Sequence, residues 1–352
     1  MDLNARNPLP ALSESDLALI DVMQEDPRAP WAQIGQAIGV SAPTARRRWG
    51  RLLDGDAAWV TTHAGWNSGV VTAIVAVQCR PGTVENVIEA FVRHPRVVTI
   101  AEITGDHDLM LTVLVPDVHE LRRFLRVGLT SHADVVRLRT MLVTRMFLDG
   151  SHWRSGFGVA SRHVQSREGS TSPAAPLTPA LATAISILER NGRAPSSELA
   201  EALGVSEAYA RRFVRRAVRS GQIVQRIDVQ LEQPRWPYSL VLWMVVPAGR
   251  LYAAAARISG RQSVRACAAL AGGSANLYAI VWLSSLAEAP EVEMQIVQDS
   301  DVRVVERSIM LHYSKRMGHV FDAEQRRTGH VPWVDGMASA NPAGDPPATT
   351  TT

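Results

Sequence analysis

The sequence predicts an α+β chain in which two winged or helix-turn-helix modules alternate with two β-α-β-β-α-β domains. Three observations predict it. The chain repeats itself, a Gly-Val-Ser phrase followed by arginines occurs once in each repeat, and after each phrase the hydrophobic period changes from helical to strand spacing.

The repeat is direct. Ser206 stands 165 residues after Ser41 (206 − 41), and Gly39-Val40-Ser41 then matches Gly204-Val205-Ser206. Ala45-Arg46-Arg47 matches Ala210-Arg211-Arg212, and Arg51 matches Arg216. Further on, TGDHDLML at Thr104 pairs with GGSANLYA at Gly272, at an offset of 168 on the glycine (273 − 105). One plan of about 150 residues is therefore present twice. Composition shifts set the expected boundaries: modules over 9–62 and 177–232, domains over 63–149 and 233–318, a flexible linker over 150–176 and a largely disordered tail over 319–352. Trp153 and Phe157 are the linker residues able to pin it to a surface.

Composition narrows the function. With 46% hydrophobic and 20% charged residues the chain can bury cores. A net charge of +3 is only mildly basic and does not by itself demand a nucleic-acid partner. Lys315 is the only lysine, so nearly all positive charge is arginine. Codon bias of the source genome is the simpler account of this, and a preference for bidentate phosphate and guanine contacts is not separable from it by sequence. Cys79 and Cys267 lie in apolar runs without a partner at metal-ligand spacing, which fits reduced thiols, a cytoplasmic setting and no metal. Met1 to Pro10 has no apolar core of a leader, and VVTAIVAV and SLVLWMVV fall short of the ~20 residues of a membrane helix. No Ser/His/Asp triad, phosphate-binding Gly loop or carboxylate pair is legible, so no catalytic residue and no cofactor is expected.

The elements follow in order. Ser13 with Asp16 three residues on forms a capping box for a first helix, which carries Leu17, Ile20, Met23 and Gln24 and ends near Asp26-Pro27. A second helix over Trp31–Ile38 has Ile34 and Ile38 on one face. Gly39 permits a left-handed turn, and Ser41 caps a third helix. On that helix Ala45, Trp49 and Leu52 form the buried stripe, leaving Arg46, Arg47, Arg48 and Arg51 on the other faces. This is the helix-turn-helix plan, whose capped helix N-terminus and arginines suit phosphate and guanine in the major groove of double-stranded DNA. The expected DNA contacts are Ser41, Pro43, Thr44, Arg46, Arg47, Arg48 and Arg51, and Ser206, Tyr209, Arg211, Arg212, Arg215 and Arg216. Pro43-Thr44 becomes Ala208-Tyr209 and Arg48 becomes Phe213, so the two modules are not expected to read identical half-sites.

After each module, VVTAIVAVQC and SLVLWMVV read as strands. PGTVENVIEAFVRHP is a helix with Val84, Val87, Ile88, Phe91 and Val92 on one face. VVTIAEIT and DLMLTVLV flank a Gly-Asp-His-Asp turn, Asp117–Leu129 is a helix, and VVRLRTMLVTRMF closes the unit as a strand. The second copy repeats the order, which is the ferredoxin-like plan.

A helix-turn-helix with this Gly-Val-Ser and arginine phrase, followed by a βαββαβ domain with Gly-x-x-Asp between its middle strands, resembles the Lrp/AsnC (feast/famine) regulators over nearly the whole chain, twice. The resemblance implies dimers that meet through their βαββαβ domains, allow a larger homo-oligomer and bind an amino acid-like effector. Here the pair would form within one chain as a pseudo-dimer. By the same resemblance Gly105, Asp106 and Asp108, and Gly273 and Asn276 in the second copy, match the effector loop. Gly and Asp equally suit a plain tight turn, and Asn276 lacks the carboxylate of Asp108. Some proteins of this architecture are sirohaem decarboxylases, for which His94, Arg96, His107, His132 and Arg137 are the available His and Arg residues.

Overall fold

The protein is described by a computed structural model covering residues 12–152, 155, 177–230 and 236–334. The first module holds α1 (Glu14–Glu25), α2 (Trp31–Ala37) and α3 (Ala42–Asp54), then strand β1 (Ala58–Ala64). Ser13 Oγ accepts from Asp16 N at 3.2 Å and the Asp16 carboxylate accepts from Ser13 N at 3.1 Å, which completes the capping box of α1. The chain leaves α2 through Gly39 at φ 71°. The first domain follows as β2 (Val71–Cys79), α4 (Val84–Val92), β3 (Val97–Ile103), β4 (Leu109–Val115), α5 (Val118–Arg123) and β5 (Val135–Leu148). A π-turn over Phe124–Leu129 extends α5.

The second module repeats the plan with α6 (Pro179–Arg190), α7 (Ser196–Leu203), α8 (Glu207–Arg219) and β6 (Ile223–Val229). Its domain is β7 (Tyr238–Val245), α9 (Leu251–Ser259), β8 (Val264–Ala271), β9 (Leu277–Leu283), α10 (Ala289–Ser300) and β10 (Arg303–Arg316). Two short strands follow, β11 (His319–Phe321) and β12 (Arg327–His330).

Each domain has strand order β5-β2-β4-β3 or β10-β7-β9-β8, all antiparallel. The two sheets join where β5 pairs with β8 and β10 with β3, so the strands close into a barrel. The joins are equivalent: Leu142 opposes Ala271 and Met310 opposes Ile103, each residue shifted by 168 (310 − 142, 271 − 103). Strand alternation sorts side chains between two cores. On β2, Ala73, Val75 and Val77 face the core under α4 and α5, while Ile74 joins Met141, Trp243, Tyr278 and Met310 inside the barrel.

β1 and β6 form a separate antiparallel ribbon running from Ala58 opposite Val229 to Ala64 opposite Ile223. Its central pair is Thr61 and Arg226, which occupy equivalent positions in the two copies (226 − 61 = 165). A pseudo-two-fold axis therefore passes through that pair. Beside it the α1–α2 and α6–α7 loops interlock through Arg28 and Arg193.

The modules also cross over. The core of α1–α3 includes Ile227 and Val229 of β6 and Trp282 of β9, and the core of α6–α8 includes Ala64 of β1, Val98 of β3 and Leu114 of β4. Each module thus rests on the other copy's domain.

Two sequence expectations need correction. Residues 319–334, expected within a largely disordered tail, form β11 and β12 beside β10. Trp333 and Val334 are buried against α6–α8. Alternation of His319, Val320 and Phe321 supplies the strand, and the Ala, Pro and Thr composition that suggested disorder belongs to residues 335–352, which lie outside the described residues. In the expected linker, Gly150–His152 form a short 3-10 turn, and Ser155 N and Oγ both donate to the buried Asp21 carboxylate at 2.7 Å. Trp153, Phe157 and the rest of 150–176 lie outside the described residues.

Candidate nucleic-acid interface and ligand cavity

Ser41 Oγ caps α3 by accepting from Thr44 N at 3.4 Å, and Ser206 Oγ caps α8 by accepting from Tyr209 N at 3.3 Å. Ala45, Trp49 and Leu52 are buried, as are Ala210, Val214 and Ala217 at the corresponding places. Burial of that stripe turns the opposite face to solvent. Pro43, Arg46, Arg47 and Arg51 are exposed on α3, and Tyr209, Arg211, Arg212, Arg215 and Arg216 on α8, with Arg219 beyond them. None of these arginine side chains has an ion pair or hydrogen bond among the described residues. Thr44 is half-buried, with Oγ1 2.9 Å from Ser41 Oγ.

Arg48 departs from the expectation. Its Nη1 donates to Ser15 O at 3.2 Å and its Nε lies 4.0 Å from the Asp16 carboxylate. The side chain lies on the flank of α3 that meets α1, so it braces the module instead of facing outward. Phe213 fills the matching place on α8 and packs against its module core.

A cavity of about 850 Å³ opens at the domain junction. Gly105, Asp106, His107 and Asp108 line it, with Cys79 from β2, Arg137 and Arg139 from β5, and Gly273 across the join. Asp106 is exposed and unpaired among the described residues, as is Arg137. Asp108 is already engaged: its carboxylate accepts from Cys79 N at 2.7 Å. Asn276 is absent from the lining. Its amide brackets the end of β7, accepting from Val246 N and donating to Val246 O, both at 2.8 Å. The two matched residues thus do the same structural work, holding the turn to the end of the neighbouring strand.

His107, named above only among the residues available to a tetrapyrrole, lies in the loop between β3 and β4. It is only 7% exposed, and neither ring nitrogen has a partner among the described residues. Burial lowers its pKa, with Arg139 adding to the effect, so the imidazole is neutral near pH 7. Arg139 makes a bidentate pair with Glu306 of the other copy, at 2.5 and 3.1 Å, and lies 5.2 Å from the Trp243 ring. The signal for Arg137 and Arg139 is their spacing, two apart on one strand, but the partner of Arg139 comes from a strand 167 residues away. Burial pushes the Cys79 thiol up to about 11. No group of three metal-ligating side chains, and no helix long and apolar enough to cross a membrane, occurs among the described residues.

Two capped arginine-bearing helices carried by a closed barrel with a ligand-sized cavity define a DNA-binding regulator with a sensing domain. Comparison with known proteins gives the family. Residues 12–53 match the AsnC-type helix-turn-helix domain, residues 72–152 the Lrp/AsnC ligand binding domain and residues 184–224 a winged helix-turn-helix DNA-binding domain. The chain is 32% identical over 145 residues to an HTH-type transcriptional regulator of Mycobacterium tuberculosis, covering 39% of this chain and 95% of that protein. It is 30% identical over 139 residues to an uncharacterized HTH-type transcriptional regulator of Pyrococcus horikoshii, covering 38% and 86%. The chain belongs to the Lrp/AsnC family of transcriptional regulators. Among solved structures, the siroheme decarboxylase NirDL superposes with a TM-score of 0.59 over 93% of this chain and 99% of that one, at 18% identity. That likeness concerns the fold alone.

Proposed function

We propose that this regulator reads duplex DNA with both helix-turn-helix modules at once, the halves of one chain acting as a pseudo-dimer, and that an amino acid or related small molecule in the cavity adjusts that binding. The observation that carries the reading is the matched orientation of α3 and α8, each with its apolar stripe buried and its unpaired arginines outward. The β1–β6 ribbon and the crossed cores support a fixed pair, each domain being read as ferredoxin-like. Half-sites then lie about one helical turn apart, or a multiple of it. Such a chain acts in the cytoplasm without catalytic chemistry of its own.

The test is binding of promoter-fragment DNA across salt concentrations. Contacts from Arg46, Arg47 and Arg51 on α3 and from Arg211, Arg212, Arg215, Arg216 and Arg219 on α8 release counterions, giving a slope of about −7 in log K against log salt. Salt-insensitive or absent binding sinks the reading. Replacing Arg47 and Arg51 by Ala weakens binding to all sequences alike.

In the cavity, the unpaired Asp106 carboxylate and Arg137 guanidinium suit the two charges of a zwitterion. Melting curves taken with each proteinogenic L-amino acid test this. The expected rise in Tm with one or more of them disappears in Asp106→Asn. No rise with any of them removes the amino acid class.

The fold likeness to a decarboxylase favours a second reading, a tetrapyrrole between the domains. Of its five residues only His107 and Arg137 line the cavity. The His94 ring packs on Phe124 at 4.9 Å, Arg96 pairs with Glu120 at 2.8 Å, and the His132 ring lies 6.0 Å from Phe91. An absorbance titration with sirohaem that shows no shift eliminates this reading.

A further inference from the structure

We infer that the chain binds DNA with a single polarity, on an operator whose half-sites differ: the α8 module is the anchoring half, and Tyr209 is the residue that distinguishes its half-site. The inference rests on the DNA-reading function proposed above and concerns how that reading is shared between the two modules.

The two outward faces carry unequal charge. Exposed arginines on α3 are Arg46, Arg47 and Arg51, and the exposed Asp54 near its end offsets one of them. On α8 they are Arg211, Arg212, Arg215, Arg216 and Arg219, with the exposed Glu207 in the first turn. The two additional arginines stand at matched places, Gly50 becoming Arg215 and Asp54 becoming Arg219, and Ala42 becoming Glu207 takes back one charge. Each added phosphate contact releases counterions, so the α8 module holds duplex DNA more tightly.

They also differ in what stands at the start of the helix. Tyr209 is 49% exposed. Its ring stacks on Phe213 with an interplanar angle of 16° and centroids 6.4 Å apart, and Phe213 in turn packs on the module core. The tyrosine is therefore propped outward on a half-buried ring that is itself held by the module core, so little side-chain freedom remains to be lost on binding. At the matched place Thr44 is short and tied to Ser41, and Arg48 is drawn back to α1. A tyrosine ring offers apolar contact to the C5-methyl of thymine, and its hydroxyl reaches a base edge. The Thr44 methyl and hydroxyl reach less far.

This asymmetry is not averaged by motion between modules. The seven-residue register of the β1–β6 ribbon and the interlocked Arg28 and Arg193 loops join the modules along their pseudo-two-fold axis. Reversing the chain on its operator would exchange unlike faces.

The experiment selects bound sequences from a random duplex library with the full chain and reads them by sequencing. The expected result is a non-palindromic motif with two unlike halves. In Tyr209→Thr only one half changes, and in Tyr209→Phe the thymine preference of that half is retained. Both substitutions are at an exposed position, so the fold is kept. In Arg215→Ala with Arg219→Ala the salt slope falls by about 2. A palindromic motif, or a Tyr209→Thr selection identical to that of the unaltered chain, overturns the inference and leaves DNA binding intact. Enrichment of no sequence at all by the unaltered chain overturns both readings.

Discussion

Arg28 and Arg193 hold equivalent positions in the two copies, and each guanidinium reaches into the other's loop. Arg28 donates to Gly192 O at 3.0 Å and Ala194 O at 2.6 Å, while Arg193 donates to Pro27 O and, at 2.9 Å, to Ala29 O. The acceptors are equivalent too, each pair being 165 apart (192 − 27, 194 − 29). Gly192 lets its loop lie close against β1, since a Cβ there would collide with Val60. Burial, then the neighbouring Arg28 charge, lowers Arg193 to about 10, and it stays protonated at neutral pH. Arg193 also lies 4.1 Å over the Trp31 ring.

This clasp predicts a strict spacing between half-sites. Affinity measured on duplexes with half-sites one to several base pairs nearer or farther falls steeply for the unaltered chain. With Arg28→Ala and Arg193→Ala together the dependence on spacing flattens. An unchanged spacing profile would mean that the ribbon alone sets the geometry.

The crossed cores predict that neither half stands alone as a monomer. A fragment ending at residue 152 lacks Ile227, Val229 and Trp282 of its own module core, and the barrel edges of β3 and β5 lose their partners. Open edges of this kind recruit another strand. Light scattering after size exclusion should find the fragment as a self-paired dimer or aggregate; a stable monomer contradicts the crossover.

Much of this fold is legible in the sequence because its signals are local. The capping box at Ser13 and Asp16, the stripe of Ala45, Trp49 and Leu52, and the turn at Gly39 each depend on residues within one or two helical turns. Strand existence was local as well, through period-two alternation. What escaped was long-range. Nothing near Leu114 or Trp282 says that the module of the other copy covers it, and Arg139 carries no mark of Glu306. The hairpin at His319–His330 was hidden by the composition of the segment after it. In the cavity, turn glycines and carboxylates stood out by type, whereas nothing in the sequence marks His107 as buried.

The ribbon is tied to the barrel through Asp228, which is fully buried. Its carboxylate accepts from Thr61 Oγ1 at 2.7 Å, Arg226 Nε at 3.0 Å, Arg265 Nη2 at 3.2 Å and Arg316 Nη2 at 2.5 Å. Burial opposes its charge, and Arg226, Arg316 and Arg265 overcome that, holding the carboxyl well below its usual range. Asp228→Asn leaves three guanidiniums short of a counter-charge, and breaking a buried network of this kind costs about 3–5 kcal/mol. Denaturant midpoints at pH 7 give the value. A loss below about 1 kcal/mol would mean that water replaces the carboxylate.

The sole lysine predicts a pH effect on stability. Lys315 has no exposed surface and donates to His94 O at 3.0 Å. Burial lowers it to about 7, a shift that the Glu189 charge only partly opposes. The unfolded chain keeps this proton up to its ordinary value near 10.5, so between pH 7 and that value the unfolded state binds more protons. Stability therefore rises with pH across the window, and below pH 7 this contribution is flat because both states are charged. Other groups leave the first part of the window clear. His63 and His330 are lowered to about 4 and act on the acid side, Arg265 is lowered to about 9, and Cys79 is raised to about 11. From pH 7 to 9 the gain from Lys315 is about 2 kcal/mol. Urea unfolding at pH 7, 8 and 9 measures it. Lys315→Met keeps the stem, removes the titrating amine and should abolish the rise. A rise that persists in that variant would assign it to another group.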